Sequence, residues 1–251
     1  MTVTIETVEE AVVVTLRWDD VRNALGPAEA AELADAVEDA SVRRASALVL
    51  TGEGAFCSGG DLRSFADLSA AYTPDGVRRR VYGHVQRIFR GLRAASVPTI
   101  AAVDGPAIGL GMDLALACDV RLVGPDGFLQ QGWARLGLIP AGGGAWFLEQ
   151  MAPGLLWDLV DDQRRLGPED CERWNLARAA SPTALDAALE RAGALSRLSA
   201  DRLQAYADLS RRARWPSDDY LSACADHQAR FIGSLEFQQK AQKVLAPRES
   251  A

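Results

Sequence analysis

Residues 98–113 read Pro-Thr-Ile-Ala-Ala-Val-Asp-Gly-Pro-Ala-Ile-Gly-Leu-Gly-Met-Asp, and this run constrains the chain more than any other. Thr99 to Val103 is a continuous apolar stretch, the pattern of a parallel strand covered on both faces. Gly105, Pro106, Gly109 and Gly111 then break the pattern. Apolar residues resume at Leu114, Ala115 and Ala117, which places the start of a buried helix near Leu110. A helix start leaves backbone N–H groups without partners, and its dipole favours negative charge. The run therefore predicts a turn that can hold an anion, or an oxygen that becomes anionic during a reaction.

Two more glycine clusters flank this one. Ala47 to Leu50 reads as a buried strand running into Gly52-Glu53-Gly54-Ala55-Phe56-Cys57-Ser58-Gly59-Gly60-Asp61. Gly137-Leu138-Ile139-Pro140-Ala141-Gly142-Gly143-Gly144 is the third, with a helix from about Ala145. Val3–Val8 and Val12–Leu16 alternate and read as a hairpin. Pro27 opens a helix that runs to about Ala40. The polar stretch Arg63 to Gly76 reads as a mobile surface loop. Val77 to Ala94 reads as one amphipathic helix. After Pro153 the strand signals end and the rest reads helical, so an α/β core precedes a helical C-terminal part. The division falls between residues 1–180 and 181–251 of this 251-residue chain.

Composition narrows the functional classes. A net charge of −7 argues against nucleic acid as a partner. No apolar run has the length of a membrane span, and the N-terminus lacks a signal-peptide pattern. Four scattered cysteines without a CxxC pair predict reduced thiols and a cytoplasmic location. Two distant histidines, His84 and His227, give no zinc-ligand spacing. Gly109-x-Gly111 lacks the third glycine of a dinucleotide fingerprint, and Gly142-Gly143-Gly144 lacks the lysine of a phosphate loop.

With the three turns in register, the chain resembles the crotonase superfamily, the enoyl-CoA hydratase/isomerase family. Ala55 to Leu62 is similar to its first oxyanion-hole motif, Pro98 to Asp119 to its second, and Leu136 to Pro140 with the following glycines to its third. The resemblance implies an α/β fold: a crotonase-type β/α spiral core with a C-terminal helical region that forms trimers, often paired into hexamers. It implies an acyl thioester of coenzyme A, or of the same pantetheine arm on a carrier protein, as substrate, and no separate cofactor or metal. The thioester oxygen would sit between the backbone N–H groups of Gly60 and Leu110. Arg22, Ala24, Gly59, Asp61 and Leu62 would contact coenzyme A, and Lys240 and Lys243 are basic residues near the end of the chain. An oxyanion donor is worth about 10²–10³ in rate.

The hydratases of that family use two glutamates, which match Asp113 and Trp133 here. Asp113 keeps a carboxylate suited to general acid–base work. Trp133 cannot move a proton; it offers an apolar wall and one N–H donor. Ala141 replaces the aspartate used by a dehalogenase branch and by some isomerases, and Gln86 stands where that branch has histidine. These three side chains are expected around the acyl group, and Trp133 there favours a bulky or planar one. Cys57 and Ser58 have no local base partner and are not expected to act as nucleophiles. The residues thus point to hydration or isomerisation through a thioester enolate with Asp113 as proton carrier. Decarboxylation or carbon–carbon cleavage needs only the hole and one acid. A catalytically silent acyl-CoA-binding or assembly subunit is the reading of a different class.

Overall fold

The computed structural model describes residues 2–41 and 43–246. β1 (Thr4–Val8) and β2 (Ala11–Leu16) form the antiparallel hairpin expected from their alternation. β2 then pairs in parallel with β3 (Ala47–Gly52), β3 with β4 (Thr99–Val103), β4 with β6 (Val120–Val123), and β6 with β8 (Arg178–Ala179). The six strands lie in the order β1-β2-β3-β4-β6-β8. β5 (Pro106–Ile108) and β7 (Phe128–Gln130) form a separate parallel pair.

Strand periodicity sorts the sheet residues onto two faces. Val12, Val14, Leu16, Leu48, Leu50, Ala101 and Val103 join the main core under the helices. Ala11, Val13, Ala47, Val49, Ile100, Ala102 and Leu122 form a second core on the opposite face. The helices of the first half are α1 (Pro27–Ser41), α2 (Leu62–Ala71), α3 (Pro74–Val77), α4 (Gly83–Ala94) and α5 (Leu110–Ala117). Those of the second half are α6 (Gly144–Met151), α7 (Leu155–Asp162), α8 (Pro168–Arg173), α9 (Ala184–Leu195), α10 (Ala200–Arg214), α11 (Asp218–Ile232) and α12 (Leu235–Leu245). The second core is closed by α9, whose fully buried Ala184, Ala188 and Ala192 recur every fourth residue. Small side chains at that spacing make one apolar stripe along the helix.

Three expectations are corrected. Residues 63–76 are not a loop: apart from the link Tyr72-Thr73 they lie in α2 and α3. Asp61 caps α2, its carboxylate accepting from Arg63 N and Ser64 N, and Phe65 buries itself in the core. The cap and that anchor override a polar composition. The helix expected over Val77 to Ala94 is interrupted by a π turn at Arg78–Tyr82. A wide turn of this kind has no signature in apolar spacing. Strand structure also does not end at Pro153, because β8 adds a two-residue edge next to β6; so short a strand carries no periodicity to read.

Candidate active site

The first two glycine turns are stitched together by backbone. Cys57 N donates to the Pro106 carbonyl at 3.1 Å, and Ile108 N donates to the Cys57 carbonyl at 3.0 Å. Gly111 must be glycine here, because a Cβ would run into the Cys57 carbonyl. Gly59 has φ +108, and a Cβ on it would stand 3.8 Å from Leu110 N. Leu25 holds the turn from its other edge. Its N–H donates to the Gly59 carbonyl at 2.7 Å, and its carbonyl accepts from Asp61 N at 3.1 Å. These bonds use the carbonyl before Gly60 and the N–H after it, and leave its own N–H free. Leu110 N opens α5, whose first internal bond is Asp113 N to the Gly109 carbonyl at 3.0 Å. Among the described residues neither Gly60 N nor Leu110 N has an acceptor.

A cavity of about 290 Å³ opens at this junction. Gly59, Gly60, Leu62, Leu110, Asp113, Trp133 and Ala141 all line it. Asp113 is fully buried in the first turn of α5. Its Oδ2 accepts from Gly142 N at 2.9 Å. Oδ1 rests against the Gly144 backbone, close enough to be stabilised by it but without a well-formed hydrogen bond. No ion pair reaches Asp113 among the described residues. Burial therefore dominates, and its pKa rises from 3.8 to about 8, with the Gly142 and Gly144 amides opposing part of the shift. At neutral pH the side chain is mostly a neutral acid.

Comparison with known proteins places this geometry in context. The sequence profile described as Enoyl-CoA hydratase/isomerase matches residues 6–245. A probable enoyl-CoA hydratase of Rhodobacter capsulatus is 34% identical over 183 residues, 72% of this chain and 69% of the relative. A probable enoyl-CoA hydratase of Mycobacterium bovis is 37% identical over 131 residues, 52% of this chain and 50% of the relative. The match thus spans about half the length of the mycobacterial relative. The solved enoyl-CoA hydratase of Bacillus halodurans superposes with a TM-score of 0.87 at 17% identity, covering 97% of this chain and 100% of that one. That of a Polaromonas species superposes with a TM-score of 0.78 at 29% identity, covering 92% and 91%.

The chain belongs to the enoyl-CoA hydratase/isomerase family. Its crotonase fold brings together most of the residues that the glycine motifs single out, and a few lie elsewhere. Gln86 is not on the cavity wall; its amide donates to the Leu221 carbonyl at 3.1 Å and so anchors α11. A polar partner on another helix redirected it. Arg22, Ala24 and Asp61 also lie off the wall. Arg22 supplies its carbonyl to Ser58 N at 3.2 Å. Asn23 between them is fully buried and clamps the loop: its amide donates to the Ala55 carbonyl at 2.6 Å, and its oxygen accepts from Trp18 N at 2.7 Å. Lys240 pairs with Glu236 on α12. Cys57 is buried and its thiol is pushed up to about 12, which leaves it protonated and unreactive.

Two wall residues were missed in the sequence of this family member. Tyr82 comes from the π turn, is buried, and lines the cavity together with Gln228 of α11. Burial and the nearby Asp113 push its hydroxyl upward, so it stays protonated. Gln228 also accepts from Ile139 N at 2.8 Å and thereby joins α11 to the third glycine motif. Neither spacing nor composition marks these two. Arg135 and Arg165 stand exposed on the wall, with Arg165 over the Phe128 ring. Among the described residues no group of three or more potential metal ligands occurs, and no helix is long and apolar enough to cross a membrane.

Proposed function

We propose that this protein binds an acyl thioester of coenzyme A, or of a carrier-bound pantetheine, and stabilises its enolate. The thioester oxygen lies between Gly60 N–H and Leu110 N–H, two preorganised donors of residues that line the cavity. Asp113 moves the proton. The observation that carries this reading is a fully buried, unpaired carboxyl on the wall of the cavity those two amides open onto.

The pKa of Asp113 bears on the reaction. A group that is neutral at pH 7 starts as an acid, so it suits steps in which an enolate is protonated at the α carbon. Hydration of a 2-enoyl thioester has such a step after water adds at the β carbon. Isomerisation begins instead with proton removal and requires the carboxylate, which gains population only towards pH 8. Among the described residues Asp113 is the only carboxylate on the wall, because Trp133 and Ala141 occupy the other two acid positions. That favours a second reading within the same chemistry: loss of carbon dioxide or cleavage of a carbon–carbon bond. There the breaking bond leaves its electron pair in the enolate, and Asp113 supplies the proton. Arg22, Ala24, Gly59, Asp61 and Leu62 are assigned to the coenzyme A side. Exposed Trp157, Tyr206 and Leu209 offer apolar surface for a trimer.

The test is isotope exchange in D₂O. Wild type and Asp113→Asn are incubated with saturated, 2-enoyl and 3-enoyl CoA thioesters and followed by mass spectrometry. Deuterium uptake or a new product with wild type, lost in the variant, is the expected result. Thioester binding without exchange or product on any substrate would instead move the reading to a non-catalytic acyl-CoA-binding subunit.

A further inference from the structure

Two buried polar side-chain atoms on the cavity wall have no partner among the described residues: Asp113 Oδ1 and Trp133 Nε1. The first belongs to the proton carrier. The second has no assigned task. Trp133 is 5% exposed, and its indole N–H can only donate. An unpaired buried donor is disfavoured, and native proteins keep few of them.

The position of this N–H is specific. Gly109 has φ +56 and precedes the oxyanion donor Leu110; a Cβ on it would meet the edge of the indole, 3.5 Å from Cδ1 and 3.6 Å from Nε1. The N–H edge of Trp133 therefore stands beside the N-terminus of α5. The residue is also locked. Its backbone N–H donates to Gln131 Oε1 at 2.9 Å, and fully buried Gln131 donates in turn to the Leu159 carbonyl at 2.7 Å. The donor is thus preorganised next to the hole but separate from it. A thioester oxygen has two lone pairs, and Gly60 and Leu110 already occupy both. The indole must serve another acceptor.

Resting on the thioester reading above, we propose that Trp133 Nε1–H receives an oxygen carried by the acyl group itself, so that the preferred substrate is an oxygenated acyl thioester, carbonyl or hydroxyl near the β carbon, rather than a plain hydrocarbon chain. Trp133 is then a specificity-determining residue. A site built to hydrogen-bond an oxygen discriminates against the analogue that lacks it, because the donor is left unpaired.

The test compares two four-carbon thioesters, acetoacetyl-CoA and butyryl-CoA, by calorimetric titration at pH 7. Wild type should bind the oxo compound roughly 3- to 10-fold more tightly, the range of one neutral hydrogen bond. Trp133→Phe keeps an aromatic wall and removes the N–H; it should abolish that preference, so that the two thioesters bind equally. The indole N–H resonance of Trp133 in ¹⁵N-labelled wild-type protein gives an independent readout. It should move downfield with acetoacetyl-CoA and not with butyryl-CoA, whether or not the variant folds. Equal binding of the two thioesters, a preference that survives in Trp133→Phe, or an indole resonance indifferent to the oxo group would overturn the proposal while leaving the thioester reading intact. Failure of both thioesters to bind would overturn the thioester reading itself.

Discussion

The helix α5 carries an aspartate at each end, and the two are treated in opposite ways. Asp119, just past the C-terminus, is surrounded by donors. Arg211 from α10 reaches it through Nε at 3.2 Å and Nη2 at 2.6 Å, while Thr99 adds its N–H at 2.8 Å and its hydroxyl at 3.0 Å. The same guanidinium also donates to the Val97 carbonyl at 2.7 Å and to the Arg93 and Ala95 carbonyls. Asp119 therefore ties the C-terminal helices to the end of β4. Asp113, one helix length away, has among the described residues no cation and only one well-formed hydrogen bond. Asp113 is fully buried and Asp119 partly so. Pairing decides whether a carboxyl out of bulk water becomes a strut or is left without a charge partner.

The largest expected effects come from replacing each acid by its amide, and they should differ in sign. Asp113→Asn should lower exchange or turnover by about 10²–10⁴, the usual contribution of a general acid. The same variant should be more stable than wild type at neutral pH, as urea titration would show. Asp119→Asn should do the reverse. It leaves Arg211 buried beside a poor partner and should cost about 3–5 kcal/mol in unfolding free energy, with turnover of the folded fraction nearly intact. If both variants lost stability, the contrast between the two ends of α5 would be wrong.

A pH series sharpens the contrast. The folded pKa of Asp113 lies near 8 against 3.8 for the free side chain, so the folded state binds this proton more tightly than the unfolded state. Its contribution is fully present below about pH 4 and is lost as pH rises towards 8. The stability of Asp113→Asn relative to wild type should thus climb by roughly 1.4 kcal/mol per pH unit across that window and then level off. Activity that needs the neutral acid should fall above about pH 8. A flat stability difference across the window would show that Asp113 is not held neutral.

Smaller effects test the supports. A Cβ at Gly144 would strike the Asp113 carboxyl, so Gly144→Ala should cost about 1–3 kcal/mol and depress turnover of the folded enzyme. The Asp61 cap is a local matter. Asp61→Ala should cost about 1 kcal/mol in thermal or urea unfolding. A much larger loss of coenzyme A affinity than of stability in that variant would support its assignment to the ligand.

Most of the architecture was legible in order. The hairpin, β3, β4 and the start of α5 follow from alternation, continuous apolar runs and glycine breaks, all local signals. That Gly60, Leu110 and Asp113 line one cavity was legible because glycine motifs record where backbone must approach backbone. Residues 63–76 were misread as a loop because a single cap and one anchoring Phe65 outweigh composition there. Gln86 was misplaced because its partner, the Leu221 carbonyl, lies far along the chain.

By itself, then, the sequence determined the strands, the glycine turns and the chemical kinds of residue available at them. Only the tertiary structure decided their states. Whether an aspartate meets an arginine or bare backbone depends on helices that arrive about a hundred residues later, as α10 does for Asp119 and, among the described residues, none does for Asp113. Tyr82 and Gln228 reach the cavity only because a π turn and α11 converge on it. Burial, charge pairing and unpaired donors are properties of that three-dimensional neighbourhood, and residue order along the chain does not encode them locally.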